Sequence, residues 1–405
     1  QSRFIQVNIN MLQIDHIYEF FYQEIFKDFS VWHLVNGTTK KGSISWEDVN
    51  TPDFETQVNN EFKIFFYDQE PLLPTLTKKY IDLFNFPNGW DLEEVFHGIL
   101  KKDSSLPEVF HKFFNIEYEE HLKNYETPSR VYKKHRIFVT SEKSKLLDDI
   151  KDDYDFKTMY YFFHGFAALD WYRGHRALNY NKTVVKEYKH DYQSFNRIVT
   201  GDRAYRKTFV DSLRQEDLLK HGAVSYGVTD DPVTEERLVI DHEQISGSAS
   251  ADIPRGIDAF WNIVTETVFY YDKLHLTEKI FKPIVSKQPF MLLAAPGNLE
   301  YLRSYGFKTF DGIIDEIYDT IKDNDARIDS VVAQIKWYCN LSQEEKSRVI
   351  ERLAPIVEYN FQHFYGKFKE IITDELLDNT KTLFKEIDYD DSQIDYATVR
   401  KLLTS

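Results

Sequence analysis

The sequence predicts an α/β fold with parallel sheets, divided between two domains and followed by a helical tail. The first observation is the length of 405 residues, of which 42% are hydrophobic, because this exceeds what one ordinary core holds. The second is the alternation of short apolar runs with longer amphipathic stretches, which is typical of β-α-β units. The third is a helical period that continues from Ser342 to about residue 368.

The short apolar runs predict the strands. They are KIFFY (63–67), RIFVT (136–140), MYYFF (159–163), NRIVTG (196–201), AVSYG (223–227), RLVI (237–240), FWNIV (260–264) and PFMLLA (289–294). A polar stretch without clear period, 176–195, separates the two groups and predicts the domain boundary. We therefore expect an N-terminal domain of residues 11–185, a C-terminal domain of residues 190–375 and a tail of residues 376–405.

Two helices have recognisable ends. Tyr205, Phe209 and Leu213 recur on one face of a helix that follows NRIVTG, and Gly222 is expected to close it as a left-handed cap. Ser342 with Glu345 makes a capping box at the start of a C-terminal helix.

Composition narrows the classes of function. The formal net charge of −16 disfavours a surface that coats nucleic-acid phosphates, although one local basic cleft remains compatible with it. A single cysteine, Cys339, excludes a disulfide framework or a Cys-rich metal site within one chain and predicts a reducing, cytoplasmic setting. No apolar run reaches membrane-spanning length. Residues 1–10 lack a signal-peptide pattern and resemble a tag remnant before Met11. We therefore assign no function to residues 1–10.

Two predicted helix starts in the second domain carry basic side chains. One contains Arg203 and Arg206, and the other is the Thr277-Glu278-Lys279 triplet. Ligands of parallel α/β sheets bind beyond the carboxyl ends of the strands, and cations with free helix N–H groups there can hold a diphosphate. Glu278 would accept hydrogen bonds from sugar hydroxyls. The alternative is a capped helix with ordinary surface charges.

Carboxylates follow the KIFFY strand of the first domain. Asp68 and Glu70 lie in DQEP, where a carboxylate facing a cleft can act as a general base, or where it can simply cap a turn. The candidates for the acceptor side are Asp68 and, in FFHGF, His164 and Gly165, the last two against the alternative of a partly buried aromatic helix.

The sequence does not favour a Gly-rich phosphate loop or an Asp-x-Asp metal site. No Gly-rich phosphate loop is present, which favours a transferase releasing a nucleoside diphosphate over an ATPase. Asp-x-Asp patterns occur at 152–155, 323–325 and 388–391, but they lie in acidic stretches typical of solvated surface. We therefore predict no metal ligands and no essential divalent metal.

The stretch from Phe260 to Phe310, with its Thr-Glu-Lys helix start, short helix, apolar strand and Pro-Gly turn, resembles the donor-binding motif of the α1,3-fucosyltransferase family. It also resembles glycosyltransferase-like proteins of large tailed phages and other viruses. The resemblance is clear over about residues 196–320. It implies a GT-B fold, in which two Rossmann-like domains enclose the active site, and an inverting transfer from a nucleotide-sugar donor.

The resemblance also implies residue roles. Lys279 would contact the donor phosphates and Glu278 the donor hydroxyls, while Arg206 matches a phosphate-binding arginine, with Arg203 as the competing assignment. Glu70 would be the catalytic base.

Glu266, in WNIVTET, stands at a shifted position relative to a glutamate of the family, which leaves the donor sugar open. We expect a glycosyltransferase that moves a sugar from a nucleoside-diphosphate sugar to an acceptor hydroxyl, most simply of a glycan, without a tightly bound cofactor. Closure of the two domains would assemble the site. The alternatives are a phage enzyme acting on hydroxymethylated or otherwise modified DNA bases, and a non-catalytic sugar- or nucleotide-binding structural module.

Overall fold

The computed structural model of the chain is mixed α/β, with parallel sheets and a helical C-terminal part, as the sequence predicts. It describes residues 17–18, 20–26, 30–33, 62–67, 71, 135–145, 147–148, 156–179, 182, 188–196, 198–225 and 259–404. The described strands are β1 (Ser30–His33), β2 (Phe62–Tyr67), β3 (His135–Thr140), β4 (Lys143–Ser144), β5 (Phe156–Tyr160), β6 (His190–Ser194), β7 (Gly222–Val224), β8 (Ala259–Thr265), β9 (Lys273–Leu274) and β10 (Phe290–Leu293).

The first sheet has the strand order β1-β2-β3-β5, and every pairing is parallel. Ile64, Ile137 and Val139 are fully buried in it, because a parallel sheet is covered on both faces and favours branched apolar side chains. The strand predicted at MYYFF is shifted: β5 ends at Tyr160, and a helix begins at Phe163.

The second sheet has the order β10-β8-β6-β7 and is also parallel. FWNIV and PFMLLA correspond to β8 and β10, as predicted. The strand predicted at NRIVTG is wrong, because the strand is β6, six residues earlier in the polar stretch assigned to the boundary. Asp191, Gln193 and Ser194 of β6 are buried, so hydropathy alone does not reveal the strand. RLVI lies outside the described residues.

Helices flank the sheets and form the C-terminal part. They are α1 (Phe163–Trp171), α2 (His175–Asn179), α3 (Tyr205–Gln215), α4 (Glu278–Val285), α5 (Asn298–Ser304), α6 (Asn324–Cys339), α7 (Gln343–Tyr365), α8 (Lys367–Glu386) and α9 (Tyr396–Thr404). The capping box predicted at Ser342 and Glu345 is confirmed at the start of α7. No described helix combines the length and the apolar character needed to cross a membrane.

The prediction that Gly222 caps a helix in a left-handed conformation is wrong. α3 ends at Gln215, and Gly222 is extended, with φ of −117°, at the start of β7. A Cβ added to Gly222 would lie 2.3 Å from the Tyr192 ring. The Tyr192 hydroxyl donates to the Leu218 carbonyl at 3.0 Å, so glycine is required by the close approach of this anchored ring.

The C-terminal helices return to the first sheet. Asn379 Nδ2 of α8 donates to the Tyr160 carbonyl at 2.9 Å, and the Thr380 hydroxyl lies 3.7 Å from Met159 Sδ. α8 is continuous through residue 376, where the sequence predicts the start of a separate tail.

The two sheets are joined near their carboxyl ends. β4, which follows β3, pairs antiparallel with β9, which follows β8. Beside this pairing, Lys273 Nζ lies 2.9 Å from Glu142 Oε1, and both side chains are almost completely buried. The joint brings the loops beyond both sheets together, and the candidate site lies there.

Candidate functional site

The Thr-Glu-Lys triplet is a helix start, as predicted. Thr277 has extended backbone angles, and its hydroxyl accepts a hydrogen bond from the Lys279 N–H at 3.4 Å, so α4 begins at Glu278. This places the N–H groups of the first turn of α4 beyond the carboxyl end of β8, where the helix dipole favours negative charge.

Glu266 is the hub that holds this helix start. Its carboxylate accepts the Thr277 N–H at 3.1 Å and the Thr277 hydroxyl at 2.6 Å, and it also accepts the Thr267 N–H at 3.1 Å. Burial raises the pKa of Glu266, and the nearby Lys279 ammonium opposes that rise. The Glu266 side chain has no exposed surface, so it positions Thr277 instead of contacting a ligand in this conformation.

Lys279 is a cation of the site that reaches solvent. Its ammonium donates to the Thr267 and Thr277 hydroxyls at 3.2 and 3.1 Å and to Glu278 Oε1 at 3.1 Å. The side chain remains 32% exposed. A lysine held at a helix N-terminus yet open to solvent is suited to bind an oxyanion.

Glu278 connects this helix start to the first sheet. Its Oε2 lies 3.7 Å from His164 Nδ1, and its carbonyl accepts a hydrogen bond from the Tyr172 hydroxyl at 3.4 Å. Burial alone would raise the pKa of Glu278, but the charges of Lys279, His164 and Lys282 outweigh it and lower the pKa to about 2. Glu278 is therefore a buried carboxylate kept ionised by its neighbours.

We expect Glu278→Gln to remove part of the acid sensitivity of the protein. A carboxylate whose pKa is about 2 in the folded state, against about 4.3 when unfolded, stabilises the fold above pH 4.3 and loses that contribution as the pH falls toward 2. The contribution is about 3 kcal/mol. Glu266, whose pKa is raised, acts in the opposite sense. The Glu278 charge contributes to that rise, so Glu278→Gln should also lower the pKa of Glu266.

The measurement is urea unfolding of wild type and Glu278→Gln between pH 6 and about pH 3. The difference in unfolding free energy should shrink as the pH falls. Glu300→Gln, at an exposed glutamate, is the matched control and should follow wild type at every pH. A difference that stays constant with pH would contradict the assignment.

Arg206 is buried and engaged by the backbone. Its Nη1 donates to the Ile198 carbonyl at 3.0 Å, and its Nη2 donates to the Thr265 and Glu266 carbonyls at 2.8 and 3.2 Å. Within the described part of the chain, no carboxylate pairs with it. Arg206 thus fixes the loop after β8 and adds positive charge, whereas Arg203, in a 3₁₀ turn before α3, is the more exposed arginine.

The histidines beside Glu278 are packed against each other. The His164 and His275 rings meet edge to face with centroids 5.1 Å apart. Burial, followed by the nearby positive charges of His164, Lys273 and Lys279, lowers the pKa of His275 well below its usual value, so His275 is neutral at pH 7. Gly165, in the next position of α1, faces the Phe162 and Phe368 rings and belongs to the packed interior.

Some predicted site residues are not placed. Asp68 and Glu70 lie outside the described residues, as does the acidic pattern at 152–155. In the pattern at 323–325, Asp323 caps α6 by accepting the Ala326 N–H at 2.8 Å.

Three residues of the site were not predicted. Thr267 follows Glu266 directly and binds Lys279, Tyr172 approaches from the end of α1, and Lys282 lies one turn beyond Lys279 on α4. Burial lowers the pKa of Lys282, although Glu278 opposes this. Lys282 is three positions after Lys279, so on a helix the two side chains lie on the same face. Of the three residues, Lys282 is therefore the one that the sequence could have indicated.

The charges around the start of α4 favour an anion. Arg206, Lys279 and Lys282 are cationic, whereas Glu266 and Glu278 supply two carboxylates.

A scan of protein families, a search of curated proteins and a search of solved structures each found no match to the chain.

Proposed function

We propose that the chain is an inverting glycosyltransferase of GT-B architecture that uses a nucleoside-diphosphate sugar. The observation that carries the proposal is the solvent-reaching ammonium of Lys279 at the N-terminus of α4, beyond the carboxyl end of a parallel sheet. This is where α/β sheets bind phosphorylated ligands.

The leaving group explains the charges. A departing nucleoside diphosphate gains negative charge in the transition state, and preorganised cations and helix N–H groups stabilise it there. Lys279 is the direct contact in this proposal. Arg203 and Arg206 are the candidates for a second contact, and Arg203 is the more exposed of the two.

The first sheet would supply the acceptor side. In the proposal, Glu70 takes the proton from the acceptor hydroxyl as that oxygen attacks the anomeric carbon. Tyr67, three residues before Glu70, pairs with Thr140, and the loop after Thr140 reaches β9 through Glu142. The end of β2 therefore lies beside the end of β3, from which this loop leaves.

The test is a thermal-shift panel of nucleoside diphosphates and nucleotide sugars with guanine or uracil bases, with and without Mg²⁺. A specific donor at 100 times its Kd should stabilise the protein by about 2.7 kcal/mol. We expect Lys279→Ala to lose this shift. Lys336→Ala, at an exposed lysine paired with Glu216, is the matched control and should keep it.

Donor turnover separates an enzyme from a binding module. With a bound donor identified, Glu70→Gln should retain the thermal shift and lose sugar transfer or donor hydrolysis. If the wild-type protein binds a donor but neither transfers nor hydrolyses its sugar, the non-catalytic binding module would be favoured. If no nucleotide shifts the protein at millimolar concentration, the proposal fails and the Thr-Glu-Lys element is only a helix cap.

A further inference from the structure

A second cluster of polar side chains lies at the opposite end of the second sheet. Asp191 is the second residue of β6, His221 ends the 3₁₀ turn that leads into β7, and Cys339 ends α6. One donor atom from each side chain lies within 4.8 Å of the other two. The site described above lies beyond the carboxyl ends of the strands, so this cluster is separate from it.

The three donors form a ligand set for a borderline-soft divalent ion. Zn²⁺ binds thiolate sulfur at about 2.3 Å, and imidazole nitrogen and carboxylate oxygen at about 2.0–2.2 Å. In a tetrahedral site with one sulfur, two donors of the same ion are therefore about 3.3–3.6 Å apart. Asp191 Oδ2 and His221 Nδ1, 3.3 Å apart, already have this separation. The three donor atoms lie within 4.8 Å of one another, so binding an ion would draw the more distant donors inward by up to about 1 Å.

Burial gives the cluster a protected interior and one open side. Asp191 and Cys339 are buried, whereas the His221 side chain is 33% exposed. Asp191 Oδ2 faces His221 Nδ1 at 3.3 Å, and Lys346 Nζ holds the other oxygen, Oδ1, at 2.7 Å. Lys346 thus fixes the carboxylate with one oxygen directed toward the histidine, and an ion can enter from the side of His221.

We propose that Asp191, His221 and Cys339 bind one zinc-class divalent cation, with water completing the coordination. The ion would tie α6 to the amino end of the second sheet and has no part in sugar transfer. The competing description is a buried Asp191–Lys346 ion pair whose remaining lone pairs are satisfied by the histidine and the thiol.

Cobalt and zinc binding test the proposal. The full chain, with any affinity tag removed, is stripped with a chelator, desalted and titrated with Co²⁺. We expect one Co²⁺ per chain, with a thiolate-to-cobalt charge-transfer band in the near ultraviolet that Zn²⁺ abolishes. Zn²⁺ should also raise the melting temperature of the stripped protein.

Variants decide between the two descriptions. Cys339→Ser should lose the charge-transfer band, and His221→Ala, at a position 33% exposed, should weaken Zn²⁺ binding by at least about 10-fold. His190→Ala is the matched control and should bind as wild type, because neighbouring strand residues point to opposite faces. Absence of saturable binding, or binding that His221→Ala and Cys339→Ser leave unchanged, would overturn the proposal and leave only the ion pair.

Discussion

Glu266→Ala is expected to lower the free energy of unfolding by about 3–5 kcal/mol. The substitution removes the acceptor of the Thr267 N–H, the Thr277 N–H and the Thr277 hydroxyl at once. Each buried donor left without an acceptor costs about 1–3 kcal/mol, and the start of α4 loses the group that orients its cap. Urea unfolding followed by circular dichroism measures the loss.

Glu266→Gln separates the hydrogen bonds from the shape of the side chain. Oε2 accepts two hydrogen bonds and Oε1 accepts the Thr277 N–H, so a glutamine amide must direct its NH₂ group at a donor. We expect Glu266→Gln to lower the free energy of unfolding by about 1–3 kcal/mol, which is less than the loss expected for Glu266→Ala. Glu216→Ala, at an exposed glutamate, should cost less than about 1 kcal/mol. Equal costs at Glu266 and Glu216 would mean that the carboxylate does not hold the helix start.

The strands that hydropathy predicts are those with apolar side chains on both faces. β10, at the edge of the second sheet, is a continuous apolar run, and β8, in the middle, is apolar except at Asn262 and Thr265. Both strands are where the sequence places them. β6 escapes this rule, because buried Asp191 binds Lys346 and buried Gln193 binds Gln288. A strand whose buried side chains are polar becomes recognisable only when its partners are known.

The candidate site was predicted as far as local sequence reaches. Thr277-Glu278-Lys279 marks a helix start through local capping chemistry, and the structure has the helix there. The contact between Thr277 and Glu266 joins residues eleven positions apart across a strand end and two loops, so only the fold brings them together. For the same reason, a basic residue at the start of α3 is visible in the sequence, whereas the three carbonyls that bind Arg206 are not.

Lys273→Met is expected to destabilise the protein by about 3–5 kcal/mol. Lys273 Nζ lies 2.9 Å from Glu142 Oε1, and the two side chains are 3% and 1% exposed. Removing the ammonium leaves a buried carboxylate whose described partners include the Ser144 hydroxyl at 2.6 Å but no longer this cation. Urea unfolding at pH 7 measures the effect.

The double variant Glu142→Gln with Lys273→Met shows whether the loss arises from the unpaired charge. Glutamine keeps an acceptor for Ser144 and carries no charge. The loss of unfolding free energy in the double variant should therefore be smaller than the sum of the two single-variant losses by about 1–3 kcal/mol. Lys143→Met, at the exposed neighbour paired with Glu375, is the matched control and should cost less than about 1 kcal/mol. If Lys273→Met alone lowers the free energy of unfolding no more than Lys143→Met does, water must reach the Glu142–Lys273 pair.

The same pair constrains how the two sheets can move. Glu142 follows β3 of the first sheet, and Lys273 lies in β9, which follows β8 of the second. Separating the sheets at this joint would expose both charges and break the pairing of β4 with β9, which together oppose opening there. Under the proposed function, a closure that assembles the site would keep this joint intact, and Lys273→Met should loosen it. Small-angle scattering should then give a larger radius of gyration for Lys273→Met than for Lys143→Met under conditions where both remain folded.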